Sequence, residues 1–97
     1  MQRNRKLTGV IGGRAISGME VQGALLTVRF DDGSVMTVRT GGGAAPGAAP
    51  GRVRAVRQGD TTLILDLDDG SSLELHTAEA TSCVMVRSGT GAFEYSD

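Results

Sequence analysis

Aromatic side chains are scarce in this chain of 97 residues: Phe30, Phe93 and Tyr95 are the only three, and tryptophan is absent. Any core must therefore be built from Val, Leu, Ile and Met. Stacking platforms for single-stranded nucleic acid, which need aromatic faces, are excluded in number. One cysteine, Cys83, rules out an internal disulfide. With a single histidine, His76, it also falls short of a Cys/His zinc cage. No apolar run approaches the ~20 residues that span a bilayer. Neither sign of charge is in excess: 10 basic and 11 acidic side chains leave a net charge of −1. The global electrostatic argument for nucleic acid binding is thereby removed. Arg3, Arg5 and Lys6 are followed by no apolar h-region, so no signal peptide is expected. The expected compartment is the cytoplasm, and composition suggests a bacterial or viral source.

What the chain does contain is a pattern written twice. Leu26 to Thr40 reads as an alternation of apolar and polar residues, an Asp-Asp-Gly-Ser turn, and a second alternation. It returns thirty-seven residues later as Leu63 to Thr77. Each copy predicts a β-hairpin. A two-residue Asp32-Gly33 turn would place Val28 opposite Thr37 and set apolar against polar along the ladder. A three-residue loop, Asp31-Asp32-Gly33, instead pairs Val28 with Met36 and Leu26 with Val38, restoring one apolar face. The second copy follows the same rule around Asp68-Asp69-Gly70, with Leu65 facing Leu73 and Leu63 facing Leu75. Gly33 and Gly70 are thus expected at positive φ, and the six turn residues are read as structural, not as acidic sites.

A weaker strand leads each hairpin. Arg14 to Gln22 aligns with the segment beginning at Arg52, and Gly18 interrupts its alternation as a bulge would. Residues 1–6 read as a frayed polar arm and Leu7 to Ile11 as a short edge strand. Gly41 to Gly51 is a Gly/Ala/Pro connector, expected to be disordered. Residues 78–81 read as one helical turn or a plain connection. Cys83 to Arg87 and Ala92 to Tyr95 predict a final hairpin. The expected fold is one all-β domain over residues 1–97, a small antiparallel barrel or two-sheet sandwich. It comprises unit one at about 14–40, the linker at 41–51, unit two at about 52–77, and a C-terminal hairpin at about 82–95.

Chemistry is thinly represented. His76 has no nucleophile elbow beside it, and Cys83 reads as a buried thiol, so no catalytic residue is assigned. Asp66 to Gly70 is out of step with a calcium loop: its glycine comes one position early and Thr77 stands where a glutamate belongs. No metal and no cofactor is expected. Arg52, Arg54 and Arg57 cluster before the second hairpin, and Arg29 and Arg39 lie on the outer face of the first; guanidinium forks suit a small anionic ligand such as a nucleotide. Val35, Ile64 and Met85 are apolar on or near outer faces, as at a subunit interface. The sequence therefore points to a non-enzymatic assembly or protein-interaction module, homo-oligomeric, with a small-anion binder as the alternative and an enzyme using His76, conceivably with Cys83, as a distant third. Its partner is expected to be itself or another protein, with neither nucleic acid nor membrane.

Overall fold

The computed structural model describes residues 2–41, 51–80 and 82–97. In chain order its elements are β1 (Gln2–Arg3), α1 (Arg5–Ile11), β2 (Ile16–Gln22), β3 (Leu25–Phe30), β4 (Val35–Arg39), β5 (Val53–Gln58), β6 (Thr62–Leu67), β7 (Ser72–His76), β8 (Val84–Arg87) and β9 (Phe93–Ser96). Two antiparallel sheets result, ordered β1-β5-β6-β7 and β2-β3-β4-β8-β9. They do not close into a barrel, so the two-sheet form of the expected fold is the one adopted.

The hairpins take the three-residue loop. Val28 pairs with Met36 and Leu26 with Val38; Leu65 pairs with Leu73 and Leu63 with Leu75. Gly33 lies at φ +88° and Gly70 at +89°, the left-handed region open to glycine without strain. Each turn is pinned by the aspartate before its glycine. Asp32 Oδ1 accepts the Ser34 N–H at 2.9 Å, and Asp69 Oδ1 accepts that of Ser71 at 2.8 Å. The register sends one side chain in two inward. Leu26, Val28, Phe30, Met36 and Val38 are buried in unit one, and their repeat equivalents Leu63, Leu65, Leu67, Leu73 and Leu75 in unit two. All ten belong to one aliphatic cluster, to which Val84, Val86 and Tyr95 of the C-terminal hairpin are added.

The leading strands bulge at matched places, between Ile16 and Gly18 in β2 and between Val53 and Ala55 in β5. The units then meet through two isolated antiparallel bridges, Ala15 with Arg52 and Thr40 with Thr77. Each bridge joins a residue to its own equivalent thirty-seven positions on. That is the signature of a local two-fold axis, as in an isologous dimer. Reciprocal bonds agree: Ile16 N–H donates to Gly51 O and Val53 N–H to Arg14 O, both at 2.9 Å.

Two local expectations are corrected. Leu7 to Ile11 is helical, within α1. Asn4 caps it, its Oδ1 accepting the Leu7 N–H at 2.9 Å. Leu7, Val10 and Ile11 share a helical face; Leu7 and Ile11 are fully buried and Val10 packs beside them. Seven residues are too few for an autonomous helix, so packing against β5 decides its form. The arm at 1–6 is not frayed from Gln2 onward: β1 pairs with β5, Gln2 opposite Gln58 and Arg3 opposite Arg57. Asn4 ties this arm to β5 and to the C-terminal hairpin, its Nδ2 donating to Gln58 Oε1 at 2.7 Å and to the Tyr95 hydroxyl at 3.1 Å. Of the two forms expected at 78–81, residues 78–80 take the plain connection, as bends. Of the connector expected to be disordered over Gly41 to Gly51, residues 42–50 lie outside the described residues. Among the described residues no helix is long and apolar enough to cross a membrane.

Gly33→Ala and Gly70→Ala each force a Cβ into the left-handed region and are expected to cost about 1–2 kcal/mol. A Cβ at Gly33 meets only the Gly89 Cα, at 3.5 Å, and one at Gly70 meets nothing. The two losses, read from chemical denaturation, should therefore agree to within roughly 0.5 kcal/mol, the scatter of independent equivalent sites.

Candidate functional site

The two-fold relation makes each edge of one unit a template for the other, and the molecule fills the two sets of edges differently. The outer edge of β4 carries β8, with Val35 opposite Arg87, Met36 opposite Val86, Thr37 opposite Met85 and Val38 opposite Val84. Among the described residues the equivalent strand β7 ends its sheet and pairs only with β6. Antiparallel ladders alternate which residues direct their N–H and C=O to a given neighbour. In β4 the outward set includes Arg39, whose N–H donates to Cys83 O at 2.8 Å. Translated to β7, the outward set is Ser72, Glu74 and His76. Their side chains are exposed, while Leu73 and Leu75 between them are buried. This edge is regular. It carries no bulge, proline or lysine, the usual devices that block edge pairing.

The other edges are less open. Strand β2 carries the Gly18 bulge, β9 follows a register shift between Val86 and Arg87, and β1 is two residues long. The outer side of β5 is covered by β1 and α1, where Val56 N–H donates to Thr8 Oγ1 at 2.9 Å and Val56 O accepts from Asn4 N–H.

Each unit carries a cross-strand ion pair on its outer face. In unit one Arg29 pairs with Glu20 across β2 and β3. In unit two Arg57 pairs with Asp66 across β5 and β6, Nε to Oδ2 at 2.8 Å and Nη2 to Oδ1 at 2.9 Å. Glu20 and Arg57 are repeat equivalents, as are Arg29 and Asp66. The same cross-strand pair is thus present twice with its polarity inverted. The Arg57 guanidinium, with help from the Ser72 hydroxyl, holds the Asp66 carboxyl below the ordinary aspartate range. Arg14 does the same for Glu94 through a two-pronged contact at 2.8 and 3.0 Å, clamping unit one to the C-terminal hairpin.

The five candidate arginines do not form one site. Arg29 and Arg39 lie on the five-stranded sheet, Arg39 with Glu79 at 3.9 Å. Arg52 stands on the bridge between units, its Nη1 donating to Gly13 O. Only Arg54 and Arg57 converge, and they do so with Arg3 and Asp66 around an open cleft of about 350 Å³. Sequence reasoning misses Arg3 because its segment reads as a loose arm. The signal that places it is Asn4, a capping residue three positions before Leu7. His76 Nε2 lies 3.2 Å from Glu74 Oε2, and Cys83 Sγ accepts from Glu79 N–H at 3.3 Å. A pairing of His76 with Cys83 is not among these contacts. A second cleft, about 270 Å³, runs between Leu25, Thr37, Arg39 and Met85 on the outer face of the five-stranded sheet.

Acid should loosen the fold through these carboxylates. Asp32, Asp66, Asp69 and Glu94 all titrate below their ordinary values in the folded state. A depressed folded pKa contributes stability that is fully present above the unfolded pKa and is lost as pH falls through the folded one. Stability should therefore be flat near neutrality and decline below about pH 4, the unfolded carboxyl range. In the Arg14→Gln/Arg57→Gln variant that decline should be shallower, measured as the slope of denaturation midpoint against pH.

The chain matches no protein-family model, no curated protein and no solved structure.

Proposed function

We propose that the protein is a non-enzymatic assembly module that associates with a second copy of itself through the outer edge of β7. The observation that carries this reading is the asymmetry of the duplicated edges: β4 is completed by β8, and its equivalent β7 is not. The filled edge supplies an internal precedent for an added antiparallel strand at the equivalent positions. Backbone pairing along such an edge is a common route to association.

A second copy fits this edge by its charges. In a two-fold pairing centred on Glu74, that residue would face its own copy, and like charges directly opposite are unfavourable. Centring on Leu75 instead sets Glu74 opposite the His76 of the other copy, twice. Both residues are outward-facing in the ladder, so each such pair exchanges two backbone hydrogen bonds. The two buried Leu75 side chains then meet on the apolar face. The result is one continuous eight-stranded sheet built from two four-stranded ones.

Glu74→Pro tests the reading. It removes one outward N–H and leaves the bonds to β6 in place, as proline does on an edge strand. The wild-type chain is expected to show concentration-dependent dimers in sedimentation velocity. The variant is expected to remain monomeric while its unfolding midpoint stays close to wild type. A wild-type protein that stays monomeric at high micromolar concentration, or a variant that dimerises equally well, contradicts the reading.

A further inference from the structure

The cleft lined by Arg3, Arg54 and Arg57 poses an electrostatic problem. Arg3 sits directly opposite Arg57 in the β1–β5 ladder, so their side chains share a face. Like charges directly opposite weaken a sheet. Arg54, in the bulge of β5, adds a third guanidinium to the same wall. Among the described residues Asp66 is the one carboxylate lining the cleft. Three positive charges against one negative leave two uncompensated. Asp66 is moreover already engaged by Arg57 and by the Ser72 hydroxyl at 2.9 Å. Among the described residues neither Arg3 nor Arg54 comes within ion-pair distance of a carboxylate, and Arg54 acts on Asp66 only from longer range. The next carboxylate along the row, Glu74, lies beyond Ile64 and faces His76. At about 4.8 Å per strand it is roughly 10 Å from Arg57.

The geometry leaves donors to spare. Arg57 spends Nε and Nη2 on Asp66, which fixes the guanidinium plane and leaves Nη1 with both hydrogens available. Arg3 and Arg54 bring whole guanidinium forks, whose planar donors match the oxygens of a phosphoryl group. The wall is otherwise Ala55, which lets an anion approach the backbone of the bulge. Among the described residues no aromatic ring lines the cleft, so no ring there stacks on a base.

We infer that Arg3, Arg54 and Arg57 form a binding site for the phosphoryl group of a small, multiply charged anion. The site reads the phosphoryl oxygens and not the group they are attached to. It is separate from the β7 edge, so a failure of self-association leaves it standing. It also differs from the arginine set suggested by sequence: Arg3 joins it, and Arg29, Arg39 and Arg52 do not.

Titration of the full-length chain with pyrophosphate, followed by the arginine side-chain resonances in NMR, tests this. The Nε–H signals of Arg3, Arg54 and Arg57 are expected to move together. The Arg3→Gln/Arg54→Gln variant should bind roughly a hundredfold more weakly, about tenfold for each charge-assisted hydrogen-bonding partner removed. Arg29→Gln/Arg39→Gln makes the same change in net charge on the other sheet and should bind as wild type does. Adenosine diphosphate should bind about as well as pyrophosphate, and adenosine should not bind. The inference is overturned if pyrophosphate moves none of the three signals or if both double variants weaken binding alike. A preference of more than tenfold for adenosine diphosphate would equally overturn it.

Discussion

A single backbone constraint organises this molecule: glycine in the left-handed region closing a three-residue turn. At Gly33 and again at Gly70 that conformation fixes which residues of two strands stand opposite each other. Because the side-chain period of a strand is two, the choice decides every face at once. With it, ten aliphatic or aromatic side chains point into one cluster and the charged residues point out. A two-residue turn from the same letters would bury Thr37 and expose Met36. The aspartates of the turns serve this geometry, accepting the serine N–H that follows each glycine.

Repetition of that unit gives the fold its second property, an internal two-fold axis marked by the bridges Ala15–Arg52 and Thr40–Thr77. The chain behaves as a dimer whose subunits are covalently joined. Its departures from symmetry are then informative. The N-terminal strand and helix cover the leading strand of unit two, and the C-terminal hairpin covers the last strand of unit one. Among the described residues each unit keeps one edge bare. The outer faces depart from symmetry in a compensated way, since the Glu20–Arg29 pair is replaced by Arg57–Asp66 with both signs exchanged. A cross-strand ion pair works in either polarity, so both residues can change together without cost to the sheet.

Much of this was legible in the residues. The register of both hairpins, the positive φ of their glycines, the matched bulge near Gly18 and the final hairpin follow from period-two alternation and turn chemistry. What was not legible depended on contacts distant in sequence. The segment Arg5–Ile11 carries apolar residues at helical spacing, yet its length makes propensity weak, and burial of Leu7 and Ile11 settles it. Placing Gln2 and Arg3 required knowing that the outer edge of β5 was vacant. The arginine cluster was half visible: Arg54 and Arg57 are neighbours in sequence, but Arg3 reaches them only through the long-range pairing of β1 with β5. The bare edge of β7 was invisible as such, because vacancy is a property of the sheet order and not of any residue in it.

Assembly through this edge depends on the equivalence of β4 and β7 and on what completes the second of them. Amide hydrogen exchange, resolved to single residues and run at low and high protein concentration, addresses both. The amides of Val35, Thr37 and Arg39 should be protected at every concentration, since β8 covers them. Those of Ser72, Glu74 and His76 should exchange quickly in dilute protein and slow as concentration rises, with Leu73 and Leu75 protected throughout by β6. Exchange at Ser72, Glu74 and His76 that is fast and indifferent to concentration would contradict assembly through this edge.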